Sequence, residues 1–381
     1  MSYLEYRVKT VPSGWKKVIF INWGLIALII GAACSGFAML YSVGGSWEPW
    51  ALAHIQRFSV GLFVMFIIAM TPIWIWRNIS VPIYIVALLL LLLVEFLGNT
   101  GMGAQRWINL GFINLQPSEV AKVALVMLMA AYYDWLPTDK VSKPLWVLVP
   151  IIFISVPVLL VLQQPDLGTS ILLLLSGVTL MFLAGVHWIY FGTVIALTGG
   201  FVVALFKSRG TDWQLLQDYQ FLRIDTFLDP DKDPLGAGYH ITQSKIALGS
   251  GGWTGRGFME GTQSRLNFLP EKHTDFIFTT IAEEFGFIGT ISILAIYVGI
   301  IIFCLHSALR HKERFASLLS LGLTVTFFLF FAVNMSMVMG LAPVVGVPLP
   351  LISYGGSAML VLMGAFGLIQ SAHVHRPRGN I

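Results

Sequence analysis

Long uninterrupted apolar runs, separated by short polar or aromatic knots, set the pattern of this chain. Ten can be marked, roughly Val18–Tyr41, Ile55–Ile75, Val81–Leu97, Glu119–Tyr133, Leu145–Leu162, Leu167–Gly185, Trp188–Phe206, Phe276–Cys304, Leu318–Gly340 and Ile352–Ala372. Most approach the ~20 residues that an α-helix needs to cross the hydrocarbon core of a bilayer. The runs are continuous rather than alternating, which predicts helices and speaks against a β-barrel. Backbone exposed to lipid must satisfy its own hydrogen bonds, and a helix does so within one segment. Tryptophans mark the ends of the runs (Trp23, Trp47, Trp50, Trp74, Trp76, Trp135, Trp146 and Trp188), where an amphipathic ring anchors at the membrane interface. The expected fold is an all-α polytopic membrane protein of about ten transmembrane helices, a single domain over residues 1–381. The first run exceeds the roughly 7–15 apolar residues of a signal-peptide core, so it reads as a span that stays in the protein.

Composition sharpens this. Of 381 residues, 56% are hydrophobic and 11% charged, against about 25% charged in an average soluble domain. So few charges cannot coat a water-exposed surface of this size, which excludes an ordinary cytosolic enzyme, a disordered chain and a nucleic-acid binder. Cys34 and Cys304 both fall inside apolar runs, where a lone cysteine behaves as a small hydrophobe, and no disulfide is expected. The eight histidines show no metal-binding spacing.

The net charge of +4 matters less than its placement. Arg7, Lys9, Lys16, Lys17, Arg77, Lys140, Lys143, Arg310, Lys312, Arg314, Arg376 and Arg378 fall on one side of the predicted spans. The short loops of the other side hold only Arg57 and Arg106. Positive residues collect on the cytoplasmic side, so both termini are expected there. One segment stands apart: residues 207–275, between the seventh and eighth spans, carry eight Lys or Arg and nine Asp or Glu. This reads as one large extracytoplasmic loop, with a short helical pattern from about Tyr239 to Leu248 and many glycines. Loops of this length are usually functional, although a solvated loop without chemistry has the same composition. The stretch Gly249–Gly252 reads as a flexible turn.

Charge at membrane depth is expensive and marks functional sites. Glu119 and Lys122, three residues apart after Pro117-Ser118, share one helix face. They can form a structural ion pair or take part in chemistry, and the two roles are compatible. Arg106 beside Trp107 can set a guanidinium against a phosphate, or can simply anchor the chain at the interface. Asp275 is the last polar residue before the eighth run. A carboxylate partly desolvated there can act as general base, and Asp is equally a preferred helix cap. Glu283 and Glu284 lie about two turns deeper, where charge needs a reason. Asp166 suits a turn or cap. Pro348–Ser357 points to a broken start of the tenth helix, able to line a site or to permit close packing. Neither a phosphate-binding P-loop nor a dinucleotide fingerprint is present.

Together these stretches resemble the SEDS family (shape, elongation, division and sporulation). The resemblance rests on Gln105-Arg106-Trp107, on Gln116-Pro117-Ser118-Glu119 with Lys122, and on Asp229-Pro230 and Asp233-Pro234 with Gly236, Gly238 and Tyr239. Gln243-Ser244, Gly249–Gly252, Pro270 with His273-Thr274-Asp275-Phe276, and Ser353-Tyr354-Gly355-Gly356-Ser357 complete it. Gly261-Thr262-Gln263-Ser264 ahead of Phe268-Leu269-Pro270 is closer to the elongation branch than to the division branch. The resemblance implies a peptidoglycan glycosyltransferase of the bacterial inner membrane that polymerises lipid II beside a class B penicillin-binding protein. It also implies that Asp275 is catalytic, taking the proton of the acceptor hydroxyl. Arg106, Lys122, Arg223 and Lys245 are then candidates for the pyrophosphate. Trp107, Glu119, Gln243, Ser244, Ser353, Tyr354 and Ser357 complete the expected substrate-binding set. The resemblance fixes no cofactor, and it leaves a divalent cation open as a candidate. A lipid II flippase, a scaffold for the transpeptidase and the division-specific enzyme are the alternatives.

Overall fold

A computed structural model describes residues 12, 14–101, 104–109, 111, 114–211, 213, 214, 221, 225, 229, 237–266, 268 and 272–377. Among these, ten long helices follow the ten apolar runs. They are α1 Trp23–Gly44, α2 Trp50–Met70, α3 Ser80–Leu97, α4 Pro117–Trp135, α5 Pro144–Gln163, α6 Leu167–Leu183, α7 Trp188–Ser208, α8 Ile277–Leu309, α9 Arg314–Val338 and α10 Gly356–Val374. Seven of them (α1, α2, α5, α7, α8, α9 and α10) are long and apolar enough to cross a membrane. Helices α3 and α6 are apolar but shorter, and α4 carries Glu119, Lys122 and Asp134.

Several boundaries shift by four or five residues: α2 ends at Met70 rather than Ile75, α8 runs on to Leu309, α9 starts at Arg314 and α10 at Gly356, and the starts of α1 and α2 move as well. The first helix begins at Trp23 rather than near Val18, because the Asn22 side chain accepts the Leu25 amide and caps it, leaving Lys16–Ile19 as a separate turn. The second begins at Trp50 rather than near Ile55, and His54, the polar residue in this added stretch, is fully buried against the Leu351 carbonyl.

Helices α2 and α10 pack closely through small residues. A Cβ at Gly61 would stand 2.8 Å from the Met363 side chain, and one at Gly367 would stand 2.8 Å from Ile68. Such close approach suits helix pairing in lipid, where dispersion contacts replace hydrophobic driving force. Helix α7 stands off the bundle, with Ser208 its one buried residue. At one end of the bundle Lys17 donates to the Met70 carbonyl at 2.9 Å, Arg77 pairs with Asp134 at 3.1 Å, and Arg314 donates to the Leu136 carbonyl at 2.9 Å. These bonds place Lys17, Arg77 and Arg314 together at that end.

The all-α expectation needs one correction. Between α3 and α4, where the sequence shows no apolar run, lies a three-stranded antiparallel sheet: β1 Asn99–Gly101, β2 Ala104–Asn109 and β3 Asn114–Leu115. Its strands are too short and too polar to carry an alternating signature.

A second correction concerns the loop glycines and the acidic pair of α8. Helix α8 is broken at Gly286, whose φ of 62° and ψ of −156° are essentially restricted to glycine. The break frees backbone groups, and residues 251–257 satisfy them. Arg256 and Gly257 amides donate to the Glu283 and Glu284 carbonyls at 3.0 and 3.1 Å, while Phe287 and Ile288 amides donate to Gly252 and Trp253 at 2.9 and 3.1 Å. Gly249–Gly252 therefore lead into a strap pressed against α8 rather than a free turn. The buried Glu283 carboxylate accepts the Thr262 amide at 2.7 Å and the Gln263 amide at 3.1 Å, so it closes the start of the short helix Thr262–Arg265. Glu284 accepts the Ser42 hydroxyl of α1. Glu283 thus holds the loop onto the bundle, and Glu284 ties α8 to α1.

Candidate functional site

At the end of the bundle opposite the basic surface, the start of α8 meets the irregular segment 347–355 that precedes α10. Asp275 lies in the turn before α8. The cap position of α8 is occupied by Phe276, without a side-chain cap bond, so Asp275 sits one residue outside the helix. A Cβ built on Gly346 would lie 3.6 Å from the Asp275 Oδ2, so the carboxylate faces a backbone that carries no side chain.

Backbone bonds hold the two segments together. Tyr354 donates its amide to the His273 carbonyl at 2.9 Å, and the Ser353 hydroxyl donates to the Thr274 carbonyl at 2.5 Å while accepting the Leu349 amide at 2.8 Å. Helix α2 lines the other side. Trp50 stacks on His273 with ring centroids 4.5 Å apart, the Arg57 guanidinium lies 4.6 Å from the Tyr354 ring centre, and His54 donates to the Leu351 carbonyl at 3.1 Å.

Glu119 and Lys122 reach the same segment from behind. The Lys122 Nζ donates to Glu119 at 2.8 Å, both side chains being buried, and it lies 3.8 Å from the Phe330 ring centre. A cavity of about 60 Å³ opens beside them, bounded by Leu349, Ser353 and Leu362. The pair therefore neutralises itself at the wall of an otherwise apolar chamber, with Ser353 shared between that chamber and the Asp275 turn.

The sheet brings in a third group. Arg106 on β2 donates its Nε to the Gln164 carbonyl at 3.1 Å and its Nη2 to the Pro165 carbonyl, with Asp166 4.0 Å away. Asp166 caps α6, accepting the Thr169 amide at 3.1 Å, and also accepts from Gln116 at 3.3 Å. Gln116 in turn donates its amide to the Ser357 hydroxyl at 3.0 Å. Trp107 lies against the start of α10, about 4.0 Å from where a Cβ on Gly356 would stand. Two bonds connect these groups: Ser353 joins the Asp275 turn to the chamber beside Glu119 and Lys122, and Gln116 joins the Asp166–Arg106 cluster to Ser357 at the start of α10.

Among the remaining sequence candidates, Ser244 is buried and donates to the Val338 carbonyl at 2.6 Å, tying the loop helix Ala237–Ser250 to the end of α9. Gln243 is half-buried on the same helix. Lys245 is exposed and crosses Gly340, where an added Cβ would meet its Nζ at 2.9 Å. Arg223 lies outside the described residues. Sequence reasoning missed Asn334, which is fully buried in α9 and donates to the Asp275 and Val347 carbonyls at 2.9 and 2.7 Å. An asparagine inside an apolar run is the signal that could have found it. It also missed Lys272, buried beside the turn, where burial lowers the ammonium pKa below its ordinary value. Among the described residues no group of three His, Cys, Asp or Glu is placed to hold a metal ion.

A bundle of long apolar helices, broken at Gly286 and irregular ahead of α10, is that of a multi-pass membrane protein. Residues 16–378 match the cell cycle protein family of FtsW, RodA and SpoVE, and the chain belongs to that family. It is 42% identical to the peptidoglycan glycosyltransferase MrdB of Escherichia coli (strain K12) over 364 residues, 95% of each chain. To a probable peptidoglycan glycosyltransferase FtsW of Aliivibrio salmonicida it is 32% identical over 365 residues, covering 93% of this chain and 87% of the relative. Among solved structures it resembles a chain of a peptidoglycan synthase complex that coordinates polymerization and crosslinking, with a TM-score of 0.77 and 28% identity over 93% of this chain and 97% of that one. The rod shape determining protein RodA of Thermus thermophilus superposes with a TM-score of 0.70 and 25% identity over 94% and 98% of the two chains.

Proposed function

We propose that this chain is a peptidoglycan glycosyltransferase that polymerises lipid II during cell elongation, with Asp275 as its general base. The observation that carries the reading is the position of Asp275, one residue before the cap position of α8, with its Oδ2 close to Gly346 in the irregular segment ahead of α10. The identity of 42% with MrdB over nearly the full length, against 32% with the division relative, supports the elongation role.

In this reading the Asp275 carboxylate takes the proton of the 4-hydroxyl of a lipid II GlcNAc. The hydroxyl oxygen attacks C1 of the MurNAc on the growing strand, the C1–O bond to the diphosphate breaks, and undecaprenyl pyrophosphate leaves with the bonding electrons. The leaving group is already activated, so no nucleotide is consumed. Arg106, Lys122 and Lys245, with Arg223, offset the diphosphate charge as it develops. Trp107, Tyr354 and Gln243 border the glycan path, while Glu119, Ser244, Ser353 and Ser357 shape it through the bonds described above.

All ten long helices cross the membrane in this reading, with both termini cytoplasmic and residues 207–275 on the outer face. A class B penicillin-binding protein supplies the crosslinking partner. The test is to incubate purified protein, alone and with that transpeptidase, with labelled lipid II in detergent and in liposomes. Glycan polymer is the expected product. Transbilayer movement of lipid II without polymer would overturn the reading in favour of a flippase.

A further inference from the structure

The run Phe327–Val338 of α9 is almost wholly apolar, yet Asn334 sits within it at 0% exposure. Its amide nitrogen donates to the Asp275 carbonyl at 2.9 Å and to the Val347 carbonyl at 2.7 Å. Turning the amide over would place Oδ1 against two carbonyl oxygens, so these two acceptors settle its orientation. Both acceptors belong to non-helical backbone, which has no ladder of its own to satisfy it. They are also the two segments that bracket the carboxylate. One is Asp275 itself; the other follows Gly346, whose φ of 70° turns the chain past the Asp275 Oδ2. The Oδ1 of Asn334 is buried without a hydrogen-bond partner. A side chain serving only to fill space would be apolar here, since leucine has nearly the same size and leaves no orphaned acceptor.

We propose that Asn334 is the positioning residue for Asp275, a proposal that rests on Asp275 acting as the general base. It staples the Asp275 peptide to the Val347 peptide and so fixes the direction of the carboxylate without touching the substrate. A misplacement of about 1 Å at a reacting group can cost about 100-fold in rate.

The test compares the wild-type protein, Asn334→Leu and Asp275→Asn, each purified with its transpeptidase partner, in initial-rate assays of lipid II polymerisation across pH. Asn334→Leu should lower kcat about 10- to 100-fold, with KM for lipid II changed less than about 3-fold and the pH dependence of kcat displaced. Asn334→Ser, which keeps one donor, should recover part of the rate, and it carries the same readout if the leucine variant is not recovered folded. An inactive Asp275→Asn beside Asn334 variants with unchanged kcat and pH profile would overturn this proposal alone. An active Asp275→Asn would overturn the general-base reading beneath it.

Discussion

Lys122 and Glu119 illustrate how a single pair can be read from spacing and still surprise in its energetics. Their contact at 2.8 Å is buried, so removing one partner strands a charge in low dielectric, while removing both does not. Glu119→Ala should therefore lower stability by about 3–5 kcal/mol, whereas Glu119→Leu combined with Lys122→Met should recover most of that loss. Thermal unfolding in detergent checks this, and equal losses in both variants would show that the charges do not act as a pair. Lys272 gives a second residue-scale test. Burial favours its neutral form, so the folded pKa lies below the ordinary 10.5, and between the two values the unfolded chain binds more protons. Stability therefore rises with pH through that window. Lys272→Met should flatten the rise and stabilise the protein at neutral pH, measured as unfolding midpoint against pH.

Among the elements, the strap over the break in α8 is the least expected. Ten helices were legible because lipid demands apolar stretches of fixed length, and Leu145–Leu162 predicted Pro144–Gln163 to within a residue at each end. The strap leaves no such trace, since its bonds run from backbone to backbone and its only side-chain signature is glycine. Read in sequence, Glu283 and Glu284 pointed to chemistry; in three dimensions the Glu283 carboxylate and the carbonyls of both fasten residues 251–263. The sheet at residues 99–115 was hidden for a related reason, because three short polar strands carry no periodicity. Glycine substitutions separate strap from turn. A Cβ on Gly251 would run into the Ala282 carbonyl, whereas one on Gly249 meets nothing within 4 Å. Gly251→Ala should cost about 1–3 kcal/mol through backbone overlap. Gly249→Ala, inside the helix Ala237–Ser250, should instead stabilise by up to about 1 kcal/mol. A shared response to the two substitutions, read by thermal unfolding, would contradict the strap.

The whole molecule divides its charge between two ends with different tasks. Lys17, Arg77 and Arg314 close the basic end by bonds to carbonyls and to Asp134, while the opposite end gathers Arg106, Lys122 and Asp275. Asp275, Arg106, Glu119 and Lys122 were legible as candidates because charge is rare in an apolar chain. Their geometry was not, since Ser353 and Asn334 bind the site through backbone carbonyls that no residue pattern reveals. The proposed chemistry converges on the Asp275 carboxylate, and the most direct measurement replaces it alone. Asp275→Asn, purified with the transpeptidase partner and supplied with labelled lipid II, should unfold at the wild-type temperature and bind lipid II but form no glycan polymer. Polymer formed at the wild-type rate by that variant would contradict the account.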